Sequence, residues 1–260
     1  MERTSGSCAL ASEGVSRFPV IWAIVEGNAR ERRKETGQRS GTLFEMTMRV
    51  LLTGFQPFGG HRSNPSEQVV SALASTKLPG ITLHTLVLPV SWRRTFPLLR
   101  EHLTAQAKQY DAVLCLGLAA NRSQVEFERF AVNWRSAVGA DEDGDSVAGD
   151  AIEAGGPAAC ASTADVDLLA AAAREAGVPA GTSNHAGTFL CNDTYYRTLR
   201  HFEGHRRPCA VVFVHLPPTP DMAAAGGSLT LAQSTRGIAA ALARLATTPR
   251  RPEPTAQQGR

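Results

Sequence analysis

Cysteine pairs, aromatic residues and long apolar runs are all scarce in this chain of 260 residues. Its five cysteines form an odd set without C-x-x-C spacing, so neither a disulfide framework nor a zinc knuckle is predicted, and a reducing, cytoplasmic location fits best. The early apolar stretch at residues 18–25 is too short to span a bilayer and leads into basic residues without a convincing cleavage site. We therefore expect neither secretion nor membrane insertion.

The charge is close to balanced, with a formal net value of +3 that comes partly from arginines near the two ends. Basic clusters can bind nucleic acid, but arginines in a solvated tail are the more ordinary interpretation. No nucleic-acid partner is predicted.

Hydrophobic residues make up 43% of the chain, which is enough for one sizeable core. Residues 1–47 show no sustained periodicity, and we expect them to be disordered or a non-native extension, with Met46 or Met48 as the biological start. The working domain is predicted over residues 48–246. Residues 247–260 are rich in Pro, Gln and Arg and should form a disordered tail.

Short β-rich runs alternate with alanine- and leucine-rich helical stretches inside this domain. The alternation predicts a single-domain α/β/α sandwich with a mostly parallel, twisted central sheet. The predicted strands cover residues 49–53, 81–88, 111–117, 124–132, 179–184 and 209–214. Helices are predicted over residues 92–108, 164–176, 190–202 and 229–246. A further helix should begin at Asn64, which can cap it ahead of Pro65.

One cysteine, Cys191, follows a Gly-Thr turn and precedes residues 192–196, which we interpret as the first turns of a helix. The unpaired backbone N–H groups at a helix start favour a thiolate over a thiol, so Cys191 is a candidate nucleophile. A buried, inert thiol is the ordinary alternative for a lone cysteine. Cys115 and Cys209, within or entering predicted strands, fit that alternative better.

A thiolate hydrolase also needs a base and a group that orients it. His215 lies at the end of a predicted strand, where sites collect in open α/β sheets, although a structural histidine is the alternative there. Alternation along residues 125–129 puts Glu126 and Glu128 on one face of their strand. Either could orient the imidazole, and a solvated strand face would also explain both.

Three sequence blocks resemble the type I pyroglutamyl peptidases, cysteine peptidases that remove an N-terminal pyroglutamate from peptides. The blocks are residues 53–60 with 64–66 (TGFQPFGG and NPS), residues 128–133 (ERFAVN), and residues 183–192 with 214–217 (SNHAGTFLCN and VHLP). The resemblance extends from about Arg49 to the predicted helix that ends near Ala246.

By this resemblance, Cys191 is the nucleophile, His215 the general acid and base, and Glu128 the residue that orients the imidazole. The choice of Glu128 over Glu126 rests on the resemblance. It implies no metal and no organic cofactor. The implied partners are peptides with an N-terminal pyroglutamate and other copies of the chain, in a homo-oligomer such as a tetramer.

The resemblance also assigns residues to the substrate ring. Phe55, Phe58 and Phe189 match the family's ring-binding phenylalanines, and a small, flat, uncharged ring fits between aromatic faces. Without the resemblance, core packing would be the ordinary interpretation of three phenylalanines. Asn64 is an expected polar contact for the lactam, although helix capping alone explains it.

Two segments depart from the family's pattern. Leu118 stands where the family commonly has a glutamine, which bears on substrate preference. Residues 134–145 (WRSAVGADEDGD) replace the usual segment that leads to Ile-Pro-Asp-Asn. We expect the acidic run at residues 141–145 to be a solvated loop, because its glycine comes too early for a calcium loop. His185 adds a titratable group near the predicted site.

Other functions remain open at this point. A non-catalytic protein could bind a pyroglutamyl group or another small lactam without turnover, and a thiol amidase could act on another small acyl group. The turn at residues 53–60 could cradle a phosphate, but it lacks both the G-x-G-x-x-G and the G-K-[ST] patterns. Hydrolysis after a pyroglutamyl residue is the prediction that uses all three candidate catalytic residues.

Overall fold

The computed structural model describes residues 47–105, 110–222 and 228–248. The strands are β1 (Met48–Phe55), β2 (Ile81–Leu88), β3 (Ala112–Leu118), β4 (Val125–Glu128), β5 (Phe130–Val132), β6 (Ala159–Ala161), β7 (Ala180–Ser183) and β8 (Ala210–Leu216). The helices are α1 (Pro65–Ala74), α2 (Thr95–Ala105), α3 (Val166–Glu175), α4 (Leu190–Phe202) and α5 (Leu231–Thr247). The predicted extension and tail lie almost wholly outside the described residues and stay predictions.

Six strands form the central sheet in the order β2-β1-β3-β8-β4-β7. Every neighbouring pair is parallel except β4 with β8, which run antiparallel. Helices α1, α3 and α5 pack together, and α2 packs with α4. The predicted sandwich with a mostly parallel sheet is confirmed. No helix among the described residues has both the length and the apolar character needed to cross a membrane.

The two central strands, β3 and β8, are nearly continuous apolar runs, as is typical of strands covered on both faces. Alternate side chains enter two separate apolar cores. Leu114 and Val212 belong to the core that contains residues of α1, α3 and α5, whereas Cys115 and Phe213 belong to the one that contains residues of α4. The carboxyl ends of β3 and β8 therefore lie side by side in the middle of the sheet.

Local signals position the helices that flank the site. The Ser66 N–H donates to the Asn64 side chain over 3.0 Å, and Pro65 follows the cap, so α1 begins where predicted. Helix α4 has the predicted bounds, Leu190 to Phe202. Gly187 has φ +77°, a left-handed conformation that glycine adopts without strain, in the turn between β7 and α4.

The single strand predicted over residues 124–132 is wrong. The segment divides into β4, in the central sheet, and β5, which pairs with β6 in a separate two-stranded sheet. The change of sheet falls at Arg129, whose guanidinium binds Asp167 on α3 over 2.9 Å. A continuous β-type pattern shows that a segment is extended, but it does not show which partner each half will meet.

The helix predicted over residues 92–108 begins later, at Thr95. Ahead of it, the Arg94 N–H donates to the Ser91 hydroxyl over 3.1 Å, and the Trp92 N–H donates to the Asp141 carboxylate over 2.7 Å. The Ser91 hydroxyl accepts from the N–H three residues on, as an N-cap does, and residues 91–94 form the turn that leads into α2. Residues 106–109 lie outside the described part of the chain.

Candidate active site

Cys191, His215 and Glu128 lie on three different elements, and the tertiary structure brings them together. Cys191 is the second residue of α4, His215 lies near the end of β8, and Glu128 ends β4. The antiparallel pairing of β4 with β8 places Glu126 opposite His215, so the end of β4 passes beside the imidazole. The three predicted catalytic residues therefore form one cluster.

A short hydrogen bond joins His215 to Glu128. The His215 Nδ1–H donates to Glu128 Oε1 over 2.7 Å, and both side chains are buried. Cys191 also interacts electrostatically with this imidazole. Burial lowers the pKa of His215, but the bonds and charges of Cys191 and Glu128 outweigh burial and raise it to about 9. The arrangement favours the protonated form of the imidazole.

The sulfur of Cys191 lies at the start of α4, where Phe189 is the N-cap and forms no side-chain cap bond. The Asp193 N–H closes the first turn by donating to the Phe189 carbonyl over 3.1 Å. The N–H groups of residues 190–192 therefore have no partner within the helix. They form a local positive field that stabilises negative charge on or near the Cys191 sulfur.

Glu126, the alternative to Glu128, has other partners. Its carboxylate forms an ion pair with Arg122 and accepts a hydrogen bond from Gln124 over 3.2 Å. Glu128, and not Glu126, is therefore the glutamate that contacts His215 in the structure. The resemblance implies this choice, whereas alternation alone left it open.

Aromatic side chains form a partly open cluster beside Cys191. The rings of Phe58 and Phe189 lie 6.4 Å apart, and Trp92 meets Phe189 edge-on at 5.2 Å. These three side chains and Cys191 are partly buried against the same core. Phe55, also predicted to contact the ring, is only 3% exposed and belongs to that core. The structure thus leaves Phe58, Trp92 and Phe189 as the more accessible aromatic faces.

Asn64, the predicted polar contact for the lactam, is buried and has partners within the chain. Its side-chain oxygen caps α1, and its Nδ2–H donates to the Gln56 carbonyl over 3.1 Å. The Phe55 N–H in turn donates to the Ser66 hydroxyl over 2.9 Å. Asn64 therefore holds the loop that carries Phe55 and Phe58.

The divergent segment after Asn133 forms an ordered strap, defined here as residues 134–150. Its two sides are joined by an antiparallel bridge between Arg135 and Asp150, with backbone bonds of 2.9 and 3.0 Å. One side attaches to the turn before α4, where the Ser136 N–H donates to the Thr188 carbonyl over 2.9 Å. The strap is thereby anchored next to Phe189.

The tip of the strap attaches to the loops that carry the other aromatic residues. Asp141 accepts from the Trp92 N–H, and Glu142 Oε1 accepts from the Gly59 N–H over 2.8 Å. Asp143 binds Arg94 through two nitrogen atoms, and these bonds lower the pKa of the Asp143 carboxyl. The prediction that residues 141–145 form a solvated loop is wrong for Asp141, which is buried. Its carboxylate accepts hydrogen bonds from three backbone N–H groups, and these offset the cost of burying it.

Leu118 and His185 lie on different elements. Leu118 ends β3, pairs with Leu216 and is nearly buried. His185 is exposed in the loop before α4, and its Nδ1 accepts from the Gly187 N–H over 3.1 Å. In the described ranges, no group of three or more His, Cys, Asp or Glu side chains is arranged to hold a metal ion.

Sequence reasoning overlooked two residues next to the site. Trp92 follows the carboxyl end of β2, and that position was itself a usable signal, because loops after parallel strands collect at one edge of the sheet. Asp141 carried no such signal. Its role depends on backbone groups at Trp92, 49 residues away along the chain.

Comparison with known families identifies the whole folded region. A family described as pyroglutamyl peptidase matches residues 48–247. A pyrrolidone-carboxylate peptidase of Halalkalibacterium halodurans is 40% identical over 181 residues, which cover 69% of this chain and 89% of that protein. One from Gloeobacter violaceus is 38% identical over 194 residues, covering 74% of this chain and 93% of the relative.

Solved structures agree with the sequence relatives. Pyroglutamyl peptidase I of Bacillus amyloliquefaciens superposes with a TM-score of 0.73 at 31% identity, over 77% of this chain and 98% of that one. The pyrrolidone carboxyl peptidase of Fervidobacterium islandicum gives a TM-score of 0.73 at 33% identity, over 76% of this chain and 98% of that one. The chain therefore belongs to the pyroglutamyl peptidase family.

Proposed function

We propose that this chain is a cysteine peptidase that hydrolyses the amide bond after an N-terminal pyroglutamyl residue. The observation that carries the proposal is the buried imidazole of His215, which hydrogen-bonds Glu128 and interacts electrostatically with Cys191. This is the order of groups that a nucleophile, a base and an orienting carboxylate require. Membership of the family supports the substrate class.

Catalysis begins with the Cys191 thiolate, which attacks the pyroglutamyl carbonyl carbon and forms a tetrahedral oxyanion. The free N–H groups at the start of α4 are the candidate donors to this oxyanion. The protonated His215 then donates its proton to the departing amine as the C–N bond breaks. Water then attacks the resulting thioester while His215 takes a proton from it. The C–S bond breaks, pyroglutamic acid is released, and the Cys191 thiolate and the protonated His215 are restored.

Glu128 keeps the imidazole in one orientation and stabilises its positive charge in both half-reactions. It remains a carboxylate throughout, since the proton moves between His215 and the substrate. No step in this sequence needs a metal or an organic cofactor.

The substrate ring is assigned to the aromatic cluster. Phe58 and Phe189 offer faces to a flat, uncharged lactam, and Phe55 supports them from the core. The space between these rings is the proposed substrate slot, and Asn64 supports it by holding the loop that carries Phe55 and Phe58. A charged N-terminal amine would lose hydration in such a slot without a partner, which favours pyroglutamyl over ordinary N-termini.

The decisive experiment measures release of a fluorescent amine from a pyroglutamyl amide by the purified chain and by Cys191→Ser. We expect turnover by the wild type and loss in the variant, while Cys160→Ser, a half-buried thiol elsewhere, keeps the wild-type rate. Turnover that survives Cys191→Ser would contradict the mechanism. Binding of 2-pyrrolidone without turnover would instead indicate a non-catalytic lactam-binding protein.

A related thiol amidase is the second candidate, and Leu118 is the observation that favours it. An apolar side chain at the end of β3 offers no hydrogen bond to a lactam amide. Comparing pyroglutamyl with cyclopentanecarbonyl amides of the same fluorophore separates the two. A higher kcat/KM for the apolar ring would identify the amidase.

We further infer that residues 48–246 form the catalytic domain, that the chain works in the cytoplasm, and that it assembles as a homo-oligomer. Free thiols among the described residues are compatible with a reducing compartment. Its partners are then pyroglutamyl peptides and other copies of itself. Sedimentation velocity at several concentrations tests the assembly, and a single monomeric species throughout would contradict it.

A further inference from the structure

Tyr195 lies one helical turn after Cys191 on α4 and reaches the strand that carries Glu128. Its hydroxyl donates a hydrogen bond to the Glu128 carbonyl oxygen over 3.0 Å. The Tyr195 side chain is completely buried. Its hydroxyl is therefore placed against the end of β4, beside the site.

The two strands separate at this point. Their antiparallel pairing ends at Phe127 opposite Val214, and the next pair in register would join Glu128 to Phe213. The hydroxyl of Tyr195 bonds the carbonyl of Glu128, the first residue of β4 beyond this pairing.

The Glu128 carbonyl needs this donor. The N–H of the next residue, Arg129, donates to the Ser183 carbonyl on β7 over 2.8 Å. Since the N–H and C=O of one peptide unit point in opposite directions along a strand, the Glu128 carbonyl faces away from β7. A buried carbonyl without a donor is costly, and Tyr195 supplies the donor.

A neighbouring residue of α4 holds the chain further on. The Asn192 side chain accepts from the Val132 N–H over 2.9 Å and donates to the carbonyls of Val132 and Trp134 over 2.8 and 2.9 Å. Helix α4 thus binds the chain at Glu128 and again at residues 132–134. Both of the α4 side chains that do so lie within about one turn of Cys191.

We propose that Tyr195 is a positioning residue, which sets how Glu128 meets His215 by bonding the Glu128 carbonyl from the helix that begins at Cys191. The inference rests on the proposed roles of these three residues. Tyr195 touches no reacting atom and acts through Glu128. Burial raises the pKa of the Tyr195 phenol, so the hydroxyl remains a donor over the working pH range.

Three ionisable side chains surround His215. Glu128 and Glu126 approach from β4 and Cys191 from α4. Glu126 is held in its own ion pair. Tyr195 holds the backbone of Glu128, so loss of its hydroxyl should weaken the support that Glu128 gives to a protonated imidazole.

The test compares Tyr195→Phe with Tyr196→Phe. The two tyrosines are adjacent on α4, both side chains are fully buried, and each hydroxyl donates to a backbone carbonyl. The Tyr196 hydroxyl bonds Pro157 over 2.9 Å, away from Glu128. Each variant loses one phenol hydroxyl, so the pair separates positioning from general loss of a buried hydrogen bond.

We expect kcat on a pyroglutamyl amide to fall about five-fold in Tyr195→Phe relative to Tyr196→Phe, with KM changed by less than about two-fold, consistent with the loss of one hydrogen bond. The second readout is the pH dependence of alkylation of Cys191 by iodoacetamide, followed on the peptide that contains it. A weaker imidazolium stabilises the thiolate less, so the midpoint should move to higher pH in Tyr195→Phe alone.

Equal kcat values and superimposable alkylation curves for the two variants would overturn the positioning role. A wild-type chain without turnover would overturn the proposed function instead. The alkylation curves need no substrate, and they decide the role of Tyr195 in either case.

Discussion

The sulfur of Cys191 lies against Gly117. A Cβ atom at Gly117 would be 3.0 Å from the Cys191 sulfur and 2.7 Å from the ring of Phe213. Phe213 is fully buried. The end of β3 therefore approaches the proposed nucleophile this closely because residue 117 has no side chain.

Gly117→Ala should accordingly lower kcat by displacing the sulfur from His215. The overpacked ring of Phe213 should also reduce the free energy of unfolding by about 1–3 kcal/mol. Steady-state kinetics and urea unfolding measure the two effects. Gly181→Ala is the matched control on β7, since its Cβ would meet the end of the Gln124 side chain, which can move away. Wild-type kcat in Gly117→Ala would contradict the close approach.

The pH dependence of activity should report the His215–Glu128 pair. Because the pKa of His215 is raised to about 9, we expect kcat/KM to fall as pH rises through about 9, when the imidazole loses the proton that it donates to the leaving amine. Glu128→Gln removes one of the charges that raise this pKa. The alkaline limb should then move to lower pH, and an unmoved limb would show that Glu128 does not support the imidazolium.

The same proton affects stability. The folded-state pKa of His215 is above the ordinary histidine value of about 6.5, so its protonation stabilises the folded chain fully below that pH. The contribution disappears as pH rises from about 6.5 through about 9. Urea unfolding of the wild type and His215→Gln at pH 6 and pH 9.5 should show a difference between the two proteins that shrinks with pH. A constant difference would contradict this linkage.

Phe55 and Phe58 should respond differently to truncation because one is core and the other is partly exposed. Phe55→Ala removes a buried ring and should lower the free energy of unfolding by about 3–5 kcal/mol. Phe58→Ala should mainly raise KM for a pyroglutamyl amide, by about ten-fold, the effect of about 1.4 kcal/mol of lost contact. Phe130→Ala, on the exposed side of β5, is the control for both measurements. An unchanged KM in Phe58→Ala would show that Phe58 does not contact the substrate ring.

Asp141 should matter for substrate binding although it lies outside the aromatic slot. Asp141→Ala leaves the N–H groups of Trp92, Asp143 and Asp145 without their acceptor, at a cost of about 1–3 kcal/mol for each group that stays buried. We expect KM to rise as Trp92 moves away from Phe189. Asp165→Ala, the control, loses the carboxylate that caps α3 with one backbone bond, and it should reduce stability without changing KM.

Some features of the fold followed from local physical chemistry. The cap at Asn64 and the apolar periodicity predicted the start of α1 and both bounds of α4, because caps and periodicity act within a few residues. Residues 124–132 were harder. Their pattern indicates an extended chain, but at Arg129 the backbone bonds Ser183 at the end of β7 and Ser162 just after β6, which lie far away in sequence.

The sequence by itself determined the fold class and, through family-like blocks, the three residues proposed for catalysis. Alternation could not separate Glu126 from Glu128, since both point to one face. Only the tertiary structure decided that Glu128 meets His215 while Glu126 pairs with Arg122. Contacts of this kind join residues 87 positions apart, and they depend on strand register and helix placement, which no local pattern encodes.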